Sequence, residues 1–128
     1  MHLISGIAIF IGAGLGALVR WGLGHWLNAT FPLLPLGTLA ANVLGGLLMG
    51  LVLGALSQFE TMAPAVRLAL TVGFLGGLTT FSAFSGESAT LLLRAEFRWA
   101  LLHAFAHVGA SLLATFAGIA CAQWLLRP

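Results

Sequence analysis

Four long apolar stretches separated by three short polar ones make up the chain, at about residues 3–27, 36–56, 65–93 and 100–126. Each meets the roughly 20 apolar residues that a helix needs to cross a bilayer. The pattern predicts an all-α membrane protein, one domain of four transmembrane helices over residues 1–128. The connections carry loop chemistry: Asn28, Pro32 and Pro35 in the first, Ser57 to Pro64 with Glu60 in the second, Arg94, Glu96 and Arg98 in the third. Trp26, Trp99 and Trp124 fall at expected span ends, where aromatic belts form, and Trp21 lies one turn deeper.

The third stretch interrupts its own pattern. Its centre reads Gly73-Phe74-Leu75-Gly76-Gly77-Leu78-Thr79-Thr80-Phe81-Ser82-Ala83-Phe84-Ser85. Adjacent glycines weaken a helix, and threonines compete for its backbone hydrogen bonds. Backbone at bilayer depth unwinds only where protein or an aqueous cavity satisfies the freed groups. The stretch predicts a third helix broken near residues 76–80, with carbonyls and hydroxyls at the midplane. Channels and transporters place ion sites at such breaks. After it, Phe81, Phe84, Ser85 and Ser88 follow helical spacing, so two rings share a face with hydroxyls. Packing or lipid contact is the ordinary role of such rings. Their positive edges, turned into a dry path, would also stabilise an anion. Glu87, the only acid within an expected span, reads as a proton or gating group or as the partner of a polar neighbour.

The other spans carry stripes at i, i+4 spacing. Gly12, Gly16, Arg20 and Gly24 share one face of the first. Asn42, Gly46, Gly50 and Gly54 share one face of the second, with Thr38 a turn earlier. The glycines read as close helix contacts. Arg20 either snorkels to the interface or supplies a cation that concentrates anions in a vestibule. Asn42 either bonds a neighbouring helix or offers its amide to an anion path. In the fourth span His103, His107, Ser111 and Thr115 form a polar stripe. Without an HExxH motif or a third ligand nearby, it reads as hydrogen bonding rather than metal binding.

Composition narrows the classes. Residues are 60% hydrophobic and 6% charged, with mean hydropathy +1.08, against about 25% charged in soluble domains. The pI near 10.1 rests on five arginines against three glutamates, without a basic cluster, so nucleic-acid binding is rejected. The lone Cys121 permits no intrachain disulfide. A cleaved signal peptide is not expected, since the N-terminus lacks a basic region and its apolar segment is too long. No nucleophile with a base and an orienter appears, so an enzyme is not expected. Arg67 and Arg127 would lie on the side of the termini, and Arg20, Arg94 and Arg98 on the other. Two against three gives almost no orientation signal, which makes insertion both ways up physically accessible.

GFLGGLTTFSAFS at Gly73 to Ser85, GTLAAN at Gly37 to Asn42 and GAGLGALVRW at Gly12 to Trp21 together resemble the small bacterial fluoride channels of the Fluc or CrcB family. The motifs match in order, and chain length and the four-span layout agree. The resemblance implies an antiparallel, dual-topology homodimer in the inner membrane, with two fluoride pores and a central sodium ion that is not transported. It assigns the sodium to backbone carbonyls of Gly76 and Thr79 from both subunits. It assigns the pore phenylalanines to Phe81 and Phe84, the pore asparagine to Asn42, the arginine of the first motif to Arg20, and a hydroxyl track to Thr38, Ser82 and Ser111. His103 departs from the family, where a tyrosine is often found.

The implied function is passive fluoride export through the lipid bilayer, which confers fluoride resistance. Hydrogen fluoride crosses membranes neutral and dissociates inside, and the trapped ion then needs an electrodiffusive exit. Two other classes fit four spans. A small multidrug/proton antiporter would carry a membrane-embedded acid in the first span, and none is there. A structural membrane subunit would need only the small-residue faces, and the midplane break argues against it.

Overall fold

The computed structural model describes residues 2–127. Helix α1 (His2–Leu27) ends in a tight turn over Asn28–Thr30. Helix α2 (Leu36–Gly54) follows, then the short α3 (Leu56–Phe59) in the second connection. The third span, Pro64–Leu93, is built of several pieces. They are α4 (Pro64–Leu68), a wide π-helical stretch Ala69–Leu75, α5 (Gly76–Leu78) and α6 (Phe81–Leu93). Helix α7 (Phe97–Leu125) closes the fold, starting three residues before the expected position. Four helical segments are long and apolar enough to cross a membrane, and the chain is a multi-pass membrane protein. Its outer surface is apolar, with Phe10, Leu18, Phe105, Leu113 and Phe116 all exposed, as lipid-facing positions should be.

The third helix is interrupted more narrowly than the glycines suggest. Only Thr79 (φ −83°, ψ 156°) and Thr80 (φ −152°, ψ 116°) are extended, and Gly76–Leu78 stays helical. The glycine pair therefore does not unwind the chain. Gly77 serves close approach instead: a Cβ there would lie 2.3 Å from the carbonyl oxygen of Ala13. Across the same contact, a Cβ on Gly12 would lie 2.2 Å from the Ala69 oxygen, and one on Gly16 2.1 Å from that of Phe74. Helix α1 thus lies backbone to backbone against the first half of the third span.

A second pair is built the same way. Helix α2 packs along α7, where a Cβ on Gly50 would fall 2.1 Å from the Thr115 oxygen and one on Gly118 2.3 Å from that of Leu47. Close approach matters because the lipid is as apolar as the side chains. Helices then associate through van der Waals contact rather than hydrophobic expulsion. Ala41, Leu75 and Leu78 are buried where the pairs meet, with Leu23, Leu48, Met49 and Phe74 around them. Asn28 fixes the start of α2, its Oδ1 accepting from the backbone N–H of Gly37 (2.8 Å) and Thr38 (3.2 Å). That satisfies two donors which the first helical turn leaves without partners.

Candidate functional site

The break is fastened by one side chain. Asn42, on α2, accepts the Thr80 N–H on Oδ1 at 2.8 Å and donates from Nδ2 to the Thr80 carbonyl at 3.1 Å. The amide replaces a lost helical turn with a side-chain clasp. Because a backbone N–H only donates and a C=O only accepts, the two bonds also fix which way the amide faces. Its other Nδ2 hydrogen meets Nδ1 of His107 at 3.2 Å. Of the two readings of Asn42, the bond to neighbouring helices is the one seen: both hydrogens are engaged within the protein. Thr80 then starts α6 as its N-cap, its Oγ1 accepting from the Ala83 N–H at 3.1 Å.

A second polar cluster lies alongside. Glu87 accepts from the Thr38 hydroxyl at 2.6 Å on Oε1, and its Oε2 lies 3.0 Å from Nε2 of His103. Nδ1 of His103 lies 3.0 Å from the Ser88 hydroxyl, and His103 is fully buried. Glu87 therefore does pair with polar neighbours, and the stripe on α7 does hydrogen-bond across helices. Short contacts to a carboxylate are about twice as strong as neutral ones, so Thr38 and His103 hold this acid in place. The sequence offers His103 and His107 no nearby third ligand, but the fold supplies one. Ligand atoms of Glu87, His103 and His107 lie within 4.8 Å of one another. All three also hydrogen-bond within the protein. Asn42 engages Nδ1 of His107, and Ser88 and Glu87 engage the two nitrogens of His103. The arrangement is a hydrogen-bond network that links three spans.

Two cavities flank the break. One, of about 480 Å³, is lined by Asn42, Thr79, Thr80, Phe81, Phe84, His107 and Ser111. The other, of about 540 Å³, is lined by Arg20, Trp21, Thr38, Thr80 and Glu87. Thr80 lines both, and so marks where they meet. Arg20 is not snorkelling: its Nε donates to the Gly77 carbonyl at 2.9 Å, in the wall of the second cavity. The Phe81 and Phe84 rings stand 5.4 Å apart, centre to centre. Phe84 stacks on His103 at 5.2 Å, whereas Phe81 is 79% exposed and reaches away from the helix bundle. Thr38, Ser82 and Ser111 do not form one continuous row. Thr38 faces the second cavity, Ser111 the first, and Ser82 lies 3.1 Å from Thr80 Oγ1 on the exposed side.

The chemistry at Gly76 and Thr79 fits a hard cation. In an unbroken helix the Gly76 carbonyl would accept from the Thr80 N–H, and the Thr79 carbonyl from the Ala83 N–H. Here those donors go to Asn42 Oδ1 and Thr80 Oγ1. Gly76 lies on an exposed face, where an added Cβ would meet nothing within 4 Å among the described residues. Hard cations take several oxygen ligands, so two carbonyls from one chain do not complete such a site.

Sequence reasoning singled out Asn42, the rings and Arg20, but it left Thr80 in the background of the motif. One signal was available: a threonine immediately ahead of helically spaced apolar residues reads as an N-cap. Glu87 and His107 drew notice for their types, but their partners lie 49 and 65 residues away in the chain, beyond any local pattern.

Comparison with known proteins gives a consistent result. The profile of the CrcB-like proteins (Camphor Resistance, CrcB) matches residues 7–119. A protein of Aromatoleum aromaticum named fluoride-specific ion channel FluC is 53% identical over 114 residues, covering 89% of this chain and 87% of the relative. Proteins of the same name from Nitrosospira multiformis and Chromobacterium violaceum are 48% identical over 127 residues and 49% identical over 121. They cover 99% and 94% of this chain, and 99% and 96% of their own lengths.

Proposed function

Because the chain belongs to the CrcB family, we propose that it is a fluoride-selective channel that lets cytoplasmic fluoride leave the cell by passive electrodiffusion and so confers fluoride resistance. The carrying observation is the pair of cavities that meet at Thr80, in the interrupted middle of an apolar bundle. A purely structural subunit has no use for such a break. An antiporter would carry an acid in its first span, and α1 has none. Relatives that cover nearly the whole chain are named as channels, which supports the same choice.

The pathway follows from the lining. Arg20 raises the local anion concentration in the second cavity. Thr38 and His103 hydrogen-bond the two Glu87 oxygens and hold that side chain in place beside the path. Beyond Thr80, the Ser111 hydroxyl and the Phe81 and Phe84 rings line the first cavity. Hydroxyl donors and the positive ring edges replace water around a small, strongly hydrated ion. The membrane potential drives export with about 2.3 kcal/mol per charge per 100 mV.

A second copy of the chain, inverted in the inner membrane, completes the assembly. The exposed Ser82 hydroxyl and Gly76 backbone support this, because polar groups facing hydrocarbon would be poorly placed. Gly76 and Thr79 carbonyls of two inverted chains would together hold one sodium ion, which joins the subunits and is not conducted. The test is efflux from liposomes containing the purified protein, read with a fluoride electrode and with a chloride electrode in parallel. Fluoride should pass far more readily. Comparable chloride efflux, or no fluoride efflux, would rule the reading out.

A further inference from the structure

Glu87, His103 and His107 hold a binding capacity that the hydrogen bonds do not exhaust. Glu87 comes from α6 and the histidines from successive turns of α7, and one ligand atom of each lies within 4.8 Å of the other two. Glu87 lines the second cavity and His107 the first, so the group stands in the partition between them. His107 is 4% exposed, and its Nε2 has no hydrogen-bond partner among the described residues. Native proteins leave few buried polar atoms in that state, since each is costly.

The donor set has a definite preference. Two imidazoles and a carboxylate suit a three-residue zinc site, which keeps a fourth position for water. Imidazole nitrogens select against magnesium and calcium, which take oxygen. Two ligand atoms on a tetrahedral zinc, each about 2.0–2.1 Å from it, stand roughly 3.3 Å apart. Oε2 of Glu87 and Nε2 of His103 are already 3.0 Å apart, so a small parting of that pair admits the ion. The outer bonds suit the change. Thr38 donates to Oε1 of Glu87 and leaves Oε2 to ligate. The Ser88 hydroxyl, 3.0 Å from Nδ1 of His103, can donate or accept, so the ring hydrogen can sit on Nδ1 while Nε2 ligates. Ligand histidines are ordinarily oriented in this way, by an acceptor on the other nitrogen.

His107 differs, because its outer partner has the opposite polarity. The Thr80 backbone fixes the Asn42 amide with Nδ2 toward Nδ1 of His107, and an amide nitrogen only donates. A metal ion on Nδ1 would displace that contact. One on Nε2 would put the ring hydrogen on Nδ1, against the amide hydrogen. Either way the ion and the Asn42–His107 bond exclude each other.

We propose that Glu87, His103 and His107 form an inhibitory site for zinc or a similar divalent transition metal, which closes the partition between the cavities and parts His107 from Asn42. Binding stands on the geometry alone; inhibition rests on the fluoride-channel reading. Arg20 lines the second cavity with Glu87 and its charge opposes a cation there. Together with the Asn42 contact, that makes the site reversible, of micromolar affinity rather than a permanent structural zinc.

The first measurement is binding, on purified protein without a polyhistidine tag, with cobalt(II) as the probe. A tetrahedral cobalt absorption band that zinc abolishes is the expected result. Glu87→Gln, His103→Gln and His107→Gln should each lose the band, whereas His2→Gln and His25→Gln, at exposed histidines, should keep it. No band in wild-type protein, or a band retained in any of the three site variants, overturns the proposal whether or not the protein conducts. The second measurement is fluoride efflux from liposomes. Zinc should cut wild-type flux by roughly tenfold or more, and each site variant, compared with its own zinc-free flux, should resist it. Wild-type flux that ~1 mM zinc leaves unchanged, in protein that shows the band, overturns the inhibition and leaves the channel reading standing. Protein that conducts no fluoride without zinc sinks the channel reading and the inhibition with it, while the cobalt band still decides the site. Asn42→Asp turns the opposing donor into an acceptor and should tighten zinc binding by about 10–100-fold. Equal or weaker binding would overturn the exclusion between the ion and the Asn42 contact.

Discussion

Gly50 and Asn42 stand eight residues apart on α2 and do opposite work. Gly50 contributes by having no side chain, so that α7 lies against its backbone. Asn42 contributes by what its side chain carries, three hydrogen bonds that hold an interrupted helix in register with its neighbours. The glycine faces, α1 against the third span and α2 against α7, are geometric: many weak contacts, each spoiled by a single methylene. The region around Thr80 is directional, with few contacts of fixed donors and acceptors. The first kind makes a rigid frame, and the second makes a gap in it that an ion can use. In lipid neither can be exchanged for the other, because close packing provides no donors and an open polar gap provides little cohesion.

The largest effect should come from filling a glycine contact. Gly50→Leu would drive a side chain into the Thr115 backbone, where even a Cβ would lie at 2.1 Å. Overpacking costs about 1–3 kcal/mol or more, and backbone cannot step aside as a side chain can. We expect detergent-extracted protein to lose its monodisperse size-exclusion peak. Gly109→Ala, where a Cβ meets nothing within 4 Å among the described residues, should leave the peak unchanged. Equal behaviour of the two would show that the contact does not hold the frame.

Asn42→Ala should separate the frame from the gap. It strands the Thr80 N–H, the Thr80 carbonyl and Nδ1 of His107, at about 1–3 kcal/mol for each group left unsatisfied. The glycine faces are untouched, so the protein should still extract as a folded species. Fluoride efflux from liposomes should nevertheless fall by roughly a hundredfold, the equivalent of about 2.7 kcal/mol. Flux within a factor of about two of wild type would mean the clasp is dispensable.

A smaller loss is expected at the rings. Phe81→Ile and Phe84→Ile remove an aromatic pair worth about 0.5–1.5 kcal/mol beyond its buried area, and each should reduce fluoride flux by about tenfold. Cross-linking should show that two copies still assemble. Wild-type flux in both variants would take the rings out of the pathway.

The smallest change belongs to Thr79→Ser. It trims a methyl that packs on Gly45 and keeps both the hydroxyl bonded to the Leu75 carbonyl and the backbone oxygen assigned to sodium. Removing one methyl costs about 0.8 kcal/mol, so flux and its sodium dependence should stay close to wild type. Loss of the sodium dependence would show that the Thr79 methyl packed on Gly45, and not its oxygens alone, shapes the cation site.

How far these features could be read in advance differs between the two regions. The i, i+4 rows of Gly12 and Gly16, and of Gly46 and Gly50, announce a helix contact, because helical period and side-chain size are both written locally. The same rule misleads at Gly76-Gly77. A glycine pair reads as a weak point, yet Gly77 is where Ala13 approaches, and the helix unwinds two residues later. Only the partner helix separates a glycine that breaks a helix from one that lets a neighbour in.

Apolar run lengths determined the four spans, the loop residues placed their connections, and the three motifs led to the family; each is a property of neighbouring residues. Tertiary structure decided the rest. It chose Thr79–Thr80 over the glycines as the break, because Asn42 supplies there the bonds that the helix gives up. It made Asn42 a clasp on Thr80, and turned Arg20 inward to Gly77. It also joined Thr38, Glu87 and His103 from three different spans. A polar side chain's type states what it can donate or accept. What it does donate to, inside a bilayer with no water to stand in, depends on which group another helix brings within about 3 Å.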